Sequence, residues 1–224
     1  MLSLIGFFGI ILKASLSKTW RQDFKTKILL FFTLSGISQI VVFLISDNID
    51  EYLKIYALCV ISGVVVHYSV LVQFCWTFLM ALFQFRVSVL GKEYDFEHVI
   101  KKSTMFVVSL PLLIVLIVLG LDSDSYVKSK SGICYPTDSA LYVGVWWPIS
   151  TILVFNLVTC CFVYNAIRQD RRVQRTAFLF FLLGLTWIFG FIAEISVSVV
   201  FVFLFDFLAT SQGVILFFIY VGRD

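Results

Sequence analysis

The chain has 224 residues, 60% of them hydrophobic and 17% aromatic, with only 14% charged and a mean hydropathy of +0.99. A soluble domain of this length cannot cover so much apolar surface; sustained apolar runs of about 20 residues mark membrane spans, so the composition indicates a polytopic membrane protein. The net charge of +3 matters through where the cations fall, and nucleic acid is not indicated as a partner.

Met1 to Leu16 is apolar, with small residues at Gly6, Gly9 and Ala14, and basic residues accumulate at Lys13, Lys18, Arg21, Lys25 and Lys27. No basic residue precedes the run and no small-residue cleavage site comes after it, so a signal peptide is the weaker reading. At 1.5 Å per residue it covers roughly half to three quarters of a bilayer. It is therefore expected to be the cytoplasmic part of a first helix, spanning 1–16, whose beginning has been lost. Further spans are expected at 28–46, 57–85, 104–121, 142–167, 176–194 and 199–220, joined by short polar connections without low-complexity tracts or repeats. The expected fold is an all-α bundle of seven transmembrane helices, one membrane domain over residues 1–224.

The run Ala57 to Phe85 organises the others. It contains Cys59, His67, Gln73 and Trp76 and no charge, and its helical length exceeds the ~30 Å hydrocarbon core. His67 lies two turns below Cys59; the structural reading is an interhelical hydrogen bonder, the functional one a ligand contact or switch.

Lys and Arg divide unevenly between the two sides, fourteen against three, the minority being Lys54, Lys128 and Lys130. Cationic loops stay in the cytoplasm, which places the carboxyl terminus inside and, with seven spans, the amino terminus outside, as in a multi-pass plasma-membrane protein. Cys75, Cys160 and Cys161 fall within spans and read as packing residues, whereas Cys59 and Cys134 share the outer face, where oxidation is permitted. A Cys59–Cys134 disulfide is expected, two free thiols being the alternative.

Beyond the fifth span, Arg168, Arg171, Arg172 and Arg175 recur at i, i+3, i+4 and i+7 and would form one basic helical face. Attraction to anionic lipid explains such a face, as does docking of a cytoplasmic partner. In the sixth span Gly184, Trp187 and Gly190 recur every three residues, a place where an indole flanked by glycines can repack. Asp206 is the one acid well within a span and is costly there, ~2.5 to 3.5 kcal/mol on insertion scales unless paired or protonated. It shares a helical face with Ala209, Thr210 and Gly213. A ligand, ion or switch role and a shallow position meeting water remain alternatives for it, and Asn156 carries the same ambiguity as His67. Two His residues, no Cys-x-x-Cys, no Gly-x-Ser-x-Gly and no phosphate loop leave neither an enzymatic site nor a cofactor or metal site.

Four motifs in order resemble the seven-helix domain of adhesion G-protein-coupled receptors, latrophilin-like receptors in particular, from about Cys59 to Tyr220. They are Cys59 with His67-Tyr68, Leu71, Phe74 and Trp76; Cys134 with Pro148 and Asn156; Leu182-Leu-Gly-Leu-Thr-Trp-Ile-Phe-Gly190; and Gln212-Gly213. The resemblance implies a receptor whose self-cleaving outer region leaves a tethered peptide that folds back into the bundle and signals to a heterotrimeric G protein through the sixth helix. Trp187 would repack when that peptide docks, with Phe189, Gly190, Gln212 and Gly213 near it, and His67, Phe74 and Trp76 beneath the pocket. Two positions depart from the family: Met80 stands where Glu is common and Ala81 where Gly is usual, which puts a polar lock, and with it basal activity and coupling, in question. The alternatives are a secretin-like peptide hormone receptor, a receptor-like product without G-protein output, and a transporter or channel using Asp206 and His67. No broken helix pair or inverted repeat supports the last.

Overall fold

The computed structural model describes residues 2–22, 24–52, 56–91, 96–121, 123–128, 134–166, 186, 188–190, 192 and 199–222. Helices α1 (Leu2–Leu16), α2 (Lys18–Gln22), α3 (Phe24–Tyr52), α4 (Tyr56–Ser88) and α5 (Phe96–Leu121) come first in chain order. A short 3-10 turn then leads into an antiparallel hairpin of β1 (Tyr126–Lys128) and β2 (Cys134–Pro136), with Val127 opposite Tyr135. The chain returns to helix through α6 (Asp138–Leu141), passes a π-helical turn over Tyr142–Trp146 and continues as α7 (Trp147–Ala166). Residues 186, 188–190 and 192 are helical, and α8 covers Val199–Tyr220.

These helices form because their apolar residues run all round the axis rather than along one stripe, the pattern of helices solvated by lipid. Four stretches are long and apolar enough to cross a membrane: Tyr56–Phe83, Val99–Leu121, Asp138–Asn165 and Val199–Tyr220, while Leu2–Leu16 and Thr26–Val42 are shorter apolar helices. Several helices outrun the apolar stretches within them. The 33 residues of α4 reach about 50 Å at 1.5 Å per residue, and α5 starts at Phe96, ahead of the span expected from Thr104. Hydropathy marks the part of a helix that suits lipid; backbone hydrogen bonding carries the helix further into polar sequence.

The chain divides into two compact units, one of Met1–Thr33, Met80–Glu93 and Phe155–Asp224, the other of Leu34–Leu79 and Tyr94–Val154. In the first, α1 packs on α8 and Phe85 meets Phe162 edge to face at 6.0 Å. In the second, Phe78 of α4 lies 6.3 Å from Phe106 of α5, and the hairpin closes over a small core of Val118, Tyr126 and Ala140. Helix α4 is the most enclosed: half of its apolar window is buried, against 22%, 22% and 19% for the other three long spans.

Candidate functional site

The most elaborate polar site among the described residues is built on one face of α4. Cys59, Gly63 and His67 recur at four-residue intervals and so stack along a single ridge. Each meets the hairpin or the helical segment just beyond it. Cys59 is disulfide-bonded to Cys134 of β2, with the Cα atoms 5.3 Å apart. Gly63 has no room for a side chain: a Cβ there would sit 3.0 Å from the Tyr126 ring and 3.1 Å from the Cys134 carbonyl oxygen. The missing side chain is what lets the hairpin lie against the helix backbone.

His67 is fully buried, and both of its ring nitrogens are engaged. Nε2 lies 3.0 Å from the Gly144 carbonyl oxygen, and Nδ1 lies 2.9 Å from the Tyr126 hydroxyl. A carbonyl only accepts, so Nε2 carries the proton; in the neutral ring Nδ1 then accepts from the tyrosine O–H. Tyr126 is itself fully buried, and burial pushes its phenol up to about 12, so it remains a donor at any physiological pH. Tyr135 stands edge-on to the imidazole at 6.2 Å. Thr137 anchors the far end of the hairpin by donating its N–H and its hydroxyl to the Ser125 carbonyl, both at 3.0 Å.

The acceptor on Gly144 exists because of Pro148. In a regular helix the carbonyl of residue 144 would accept the N–H of residue 148, but proline has none and its ring crowds the carbonyl four residues back. The chain answers with the π-helical turn at Tyr142–Trp146, in which the Trp147 N–H reaches the Tyr142 carbonyl. Gly144 also opens the path to the imidazole, since a Cβ would come within 2.7 Å of Val118 Cγ2 and 3.1 Å of His67 Cε1. Replacing Tyr126 with Phe is expected to leave Nδ1 buried without its donor, at a cost of about 1–3 kcal/mol. Thermal inactivation of the solubilised protein measures it, and a loss indistinguishable from zero would show that the bond contributes nothing.

The remaining residues singled out from the sequence are spread over several helices. Phe74, Trp76 and Asn156 are buried. Phe189 stacks on Phe201 of α8 at 6.1 Å, and a Cβ on Gly190 would meet Phe205 at 2.9 Å. Gln212 is buried, and its Nε2 has no hydrogen-bond partner among the described residues. Gly213 abuts Gly6 and Ser3 of α1 backbone to backbone. The Ser3 hydroxyl lies 2.8 Å from the carbonyls of both Ala209 and Thr210 and accepts the Gly213 N–H at 3.1 Å. It thus enters the α8 ladder where Gly213 would bond Ala209. Cys161 is exposed and Cys160 half-buried, so Cys161 faces outward rather than packing. Trp187, Arg168, Arg171, Arg172, Arg175 and the side chain of Asp206 lie outside the described residues. No group of three or more His, Cys, Asp or Glu is placed to hold a metal among those described.

Gly63, Tyr126 and Gly144 do not stand out in the sequence as functional positions. The available signals were the four-residue step linking Gly63 to Cys59 and His67, and the four-residue step from Gly144 to Pro148.

Comparison with known proteins supplies the family context. The family described as 7 transmembrane receptor (Secretin family) matches residues 3–216. The chain is similar to the human adhesion G-protein coupled receptor G4, 29% identical over 217 residues that make up 90% of this chain and 7% of the relative. It is 27% identical to the human adhesion G-protein coupled receptor G2 over 89% of this chain and 22% of that protein. It is also 27% identical to latrophilin receptor-like protein A of Dictyostelium discoideum, over 88% of this chain and 66% of that one. The chain thus spans a small part of the two human relatives.

Proposed function

The chain belongs to the seven-transmembrane receptors of the secretin family, and from that premise we propose that it is the signalling domain of an adhesion-type G-protein-coupled receptor. The observation that carries this reading is the family match across residues 3–216, nearly the whole chain. The relatives it resembles are adhesion G-protein coupled receptors, and its long apolar helices suit a multi-pass protein of the plasma membrane. The amino terminus lies outside and the carboxyl terminus in the cytoplasm, a reading supported by the fourteen-to-three division of Lys and Arg. In this reading residues 1–224 form one domain of seven spans.

A tethered peptide from an upstream region is the proposed stimulus and a heterotrimeric G protein the proposed partner. Signalling of this kind needs two packings that differ by a few kcal/mol and a ligand that prefers one of them. Trp187, between Gly184 and Gly190, is the proposed point of repacking, with Phe189, Gly190, Gln212 and Gly213 around it; Gln212 Nε2, without a hydrogen-bond partner among the described residues, supplies a donor of the kind a peptide carbonyl would take. The sixth helix then moves and exposes the cytoplasmic side, where Arg168, Arg171, Arg172 and Arg175 offer a basic face to the partner. Anionic lipid adds about 1 kcal/mol for each basic residue held near its surface.

Replacing Trp187 with Ala is expected to leave surface expression intact and to lower G-protein activation roughly tenfold, the effect of a bias of about 1.4 kcal/mol between two states. Nucleotide exchange on a panel of G proteins reads this directly. Full signalling by the variant would sink the role given to Trp187, and silence of the wild-type receptor on every G protein would sink the receptor reading itself.

A further inference from the structure

We propose that α7 contains a clamped proline hinge, in which His67 of α4 supplies across the interface the hydrogen bond that Pro148 cannot make within the helix. The inference concerns the conformation of α7 and stands whether or not the chain signals.

Three observations converge on it. Pro148 lies inside a continuous helical stretch, Asp138–Asn165, and deprives the Gly144 carbonyl of its partner four residues on. That carbonyl is buried, and an orphaned buried acceptor is costly enough that natural structures seldom keep one. The side-chain donor that reaches it is His67 Nε2, at 3.0 Å. The third observation is steric: Gly144 is the one residue type that allows the approach, because any Cβ would crowd both Val118 and the imidazole.

The clamp has a handle. The second nitrogen of the same imidazole takes the Tyr126 hydroxyl at 2.9 Å, and Tyr126 belongs to the hairpin that the Cys59–Cys134 disulfide ties to α4. With Tyr126 in place, the ring is held in the tautomer and orientation that aim N–H at Gly144. If the hairpin shifts, Nδ1 loses its donor, the ring is free to turn, and Gly144 loses its substitute for the proline N–H. A proline whose freed carbonyl is unsatisfied is where a membrane helix bends. Displacement of the hairpin is thereby converted into flexure of α7 at residues 144–148, with the π-helical turn as the segment that opens.

The test is a double-mutant cycle between two positions on different helices. His67→Phe removes the donor while keeping a ring of similar size. Pro148→Ala restores the backbone N–H that the clamp replaces. If the two act on the same carbonyl, their effects are strongly non-additive. In the native Pro148 background His67→Phe is expected to speed amide exchange at residues 145–152 about tenfold and to shorten the half-time of thermal inactivation by a similar factor. In the Pro148→Ala background the same substitution should change either by less than twofold. Loss of the Tyr126 hydroxyl bond occurs in both backgrounds and cancels in the comparison.

Equal effects in the two backgrounds would overturn the proposal, because His67 would then serve only Tyr126. Should His67→Phe fail to accumulate, recovery of the His67→Phe/Pro148→Ala double variant would support the clamp. Failure of that double variant when Pro148→Ala alone is stable would refute it.

Discussion

Replacing Cys59 or Cys134 with Ser is expected to remove most of the protein from the cell surface and to lower the thermal stability of the remainder by several degrees. The bond closes a loop with a sequence separation of 75 residues. For a free chain that closure would be worth about 4.5 kcal/mol. Here α5 lies within the loop and stays in the membrane when tertiary structure is lost, so the freedom regained is smaller, on the order of 2–3 kcal/mol. The consequence is larger than the entropy suggests. Without the bond the hairpin is held on α4 by noncovalent contacts, among them the close approach at Gly63, the Tyr126 hydroxyl and the edge-on Tyr135 ring, and its departure exposes the Val118, Tyr126 and Ala140 core. Surface labelling and electrophoretic mobility with and without reductant measure the outcome. The Cys59→Ser/Cys134→Ser double variant should be no worse than either single one, since each alone abolishes the same bond. A double variant clearly worse than both would show that the two sulfurs act separately.

The long helices were legible because nothing else can be done with 20 apolar residues in a row, and the family motifs supported the all-α seven-helix reading that the secretin-family match now shows. The start of α5 was not legible from hydropathy, because Lys101 and Lys102 prolong the helix without prolonging its apolar run. The turn at Tyr142–Trp146 was hidden for a different reason. Pro148 announces a missing N–H, yet whether a helix kinks, ends or inserts an extra residue depends on what lies beside the freed carbonyl, and that is His67 on another helix. Tyr126 was equally unreadable in a short polar loop, between a serine and a valine that give no sign of its burial against α4. A residue is recognisable from sequence when its own run demands its role. Gly63, Tyr126 and Gly144 have roles set by partners up to 77 positions away, the separation of His67 from Gly144.

Gly213→Ala is expected to destabilise the protein more than Ser3→Ala, although the serine makes the hydrogen bonds and the glycine supplies only space. Ser3 contributes its hydroxyl to the Ala209 and Thr210 carbonyls and the Gly213 N–H. Interhelical hydrogen bonds in membranes average about 0.6 kcal/mol and reach about 1.7, so its loss should cost roughly 1 kcal/mol. The glycine has no such ceiling. A Cβ at position 213 would lie 2.7 Å from the Ser3 carbonyl carbon and 2.8 Å from its Cα. Those are backbone atoms, which cannot turn aside as a side-chain tip can. Helices α1 and α8 must separate, which breaks the Ser3 bonds as well and forfeits the close contact at Gly6; overpacking of this kind costs about 1–3 kcal/mol and sometimes more. Thermal unfolding of the solubilised protein should rank Gly213→Ala below Ser3→Ala, with Gly6→Ala close to Gly213→Ala. The double variant Gly6→Ala/Gly213→Ala should fall well short of the sum, because one added methyl already opens the interface. A Gly213→Ala protein as stable as wild type would mean that α1 does not need to approach α8 at that point, and the placement of Ser3 in the α8 ladder would fall with it.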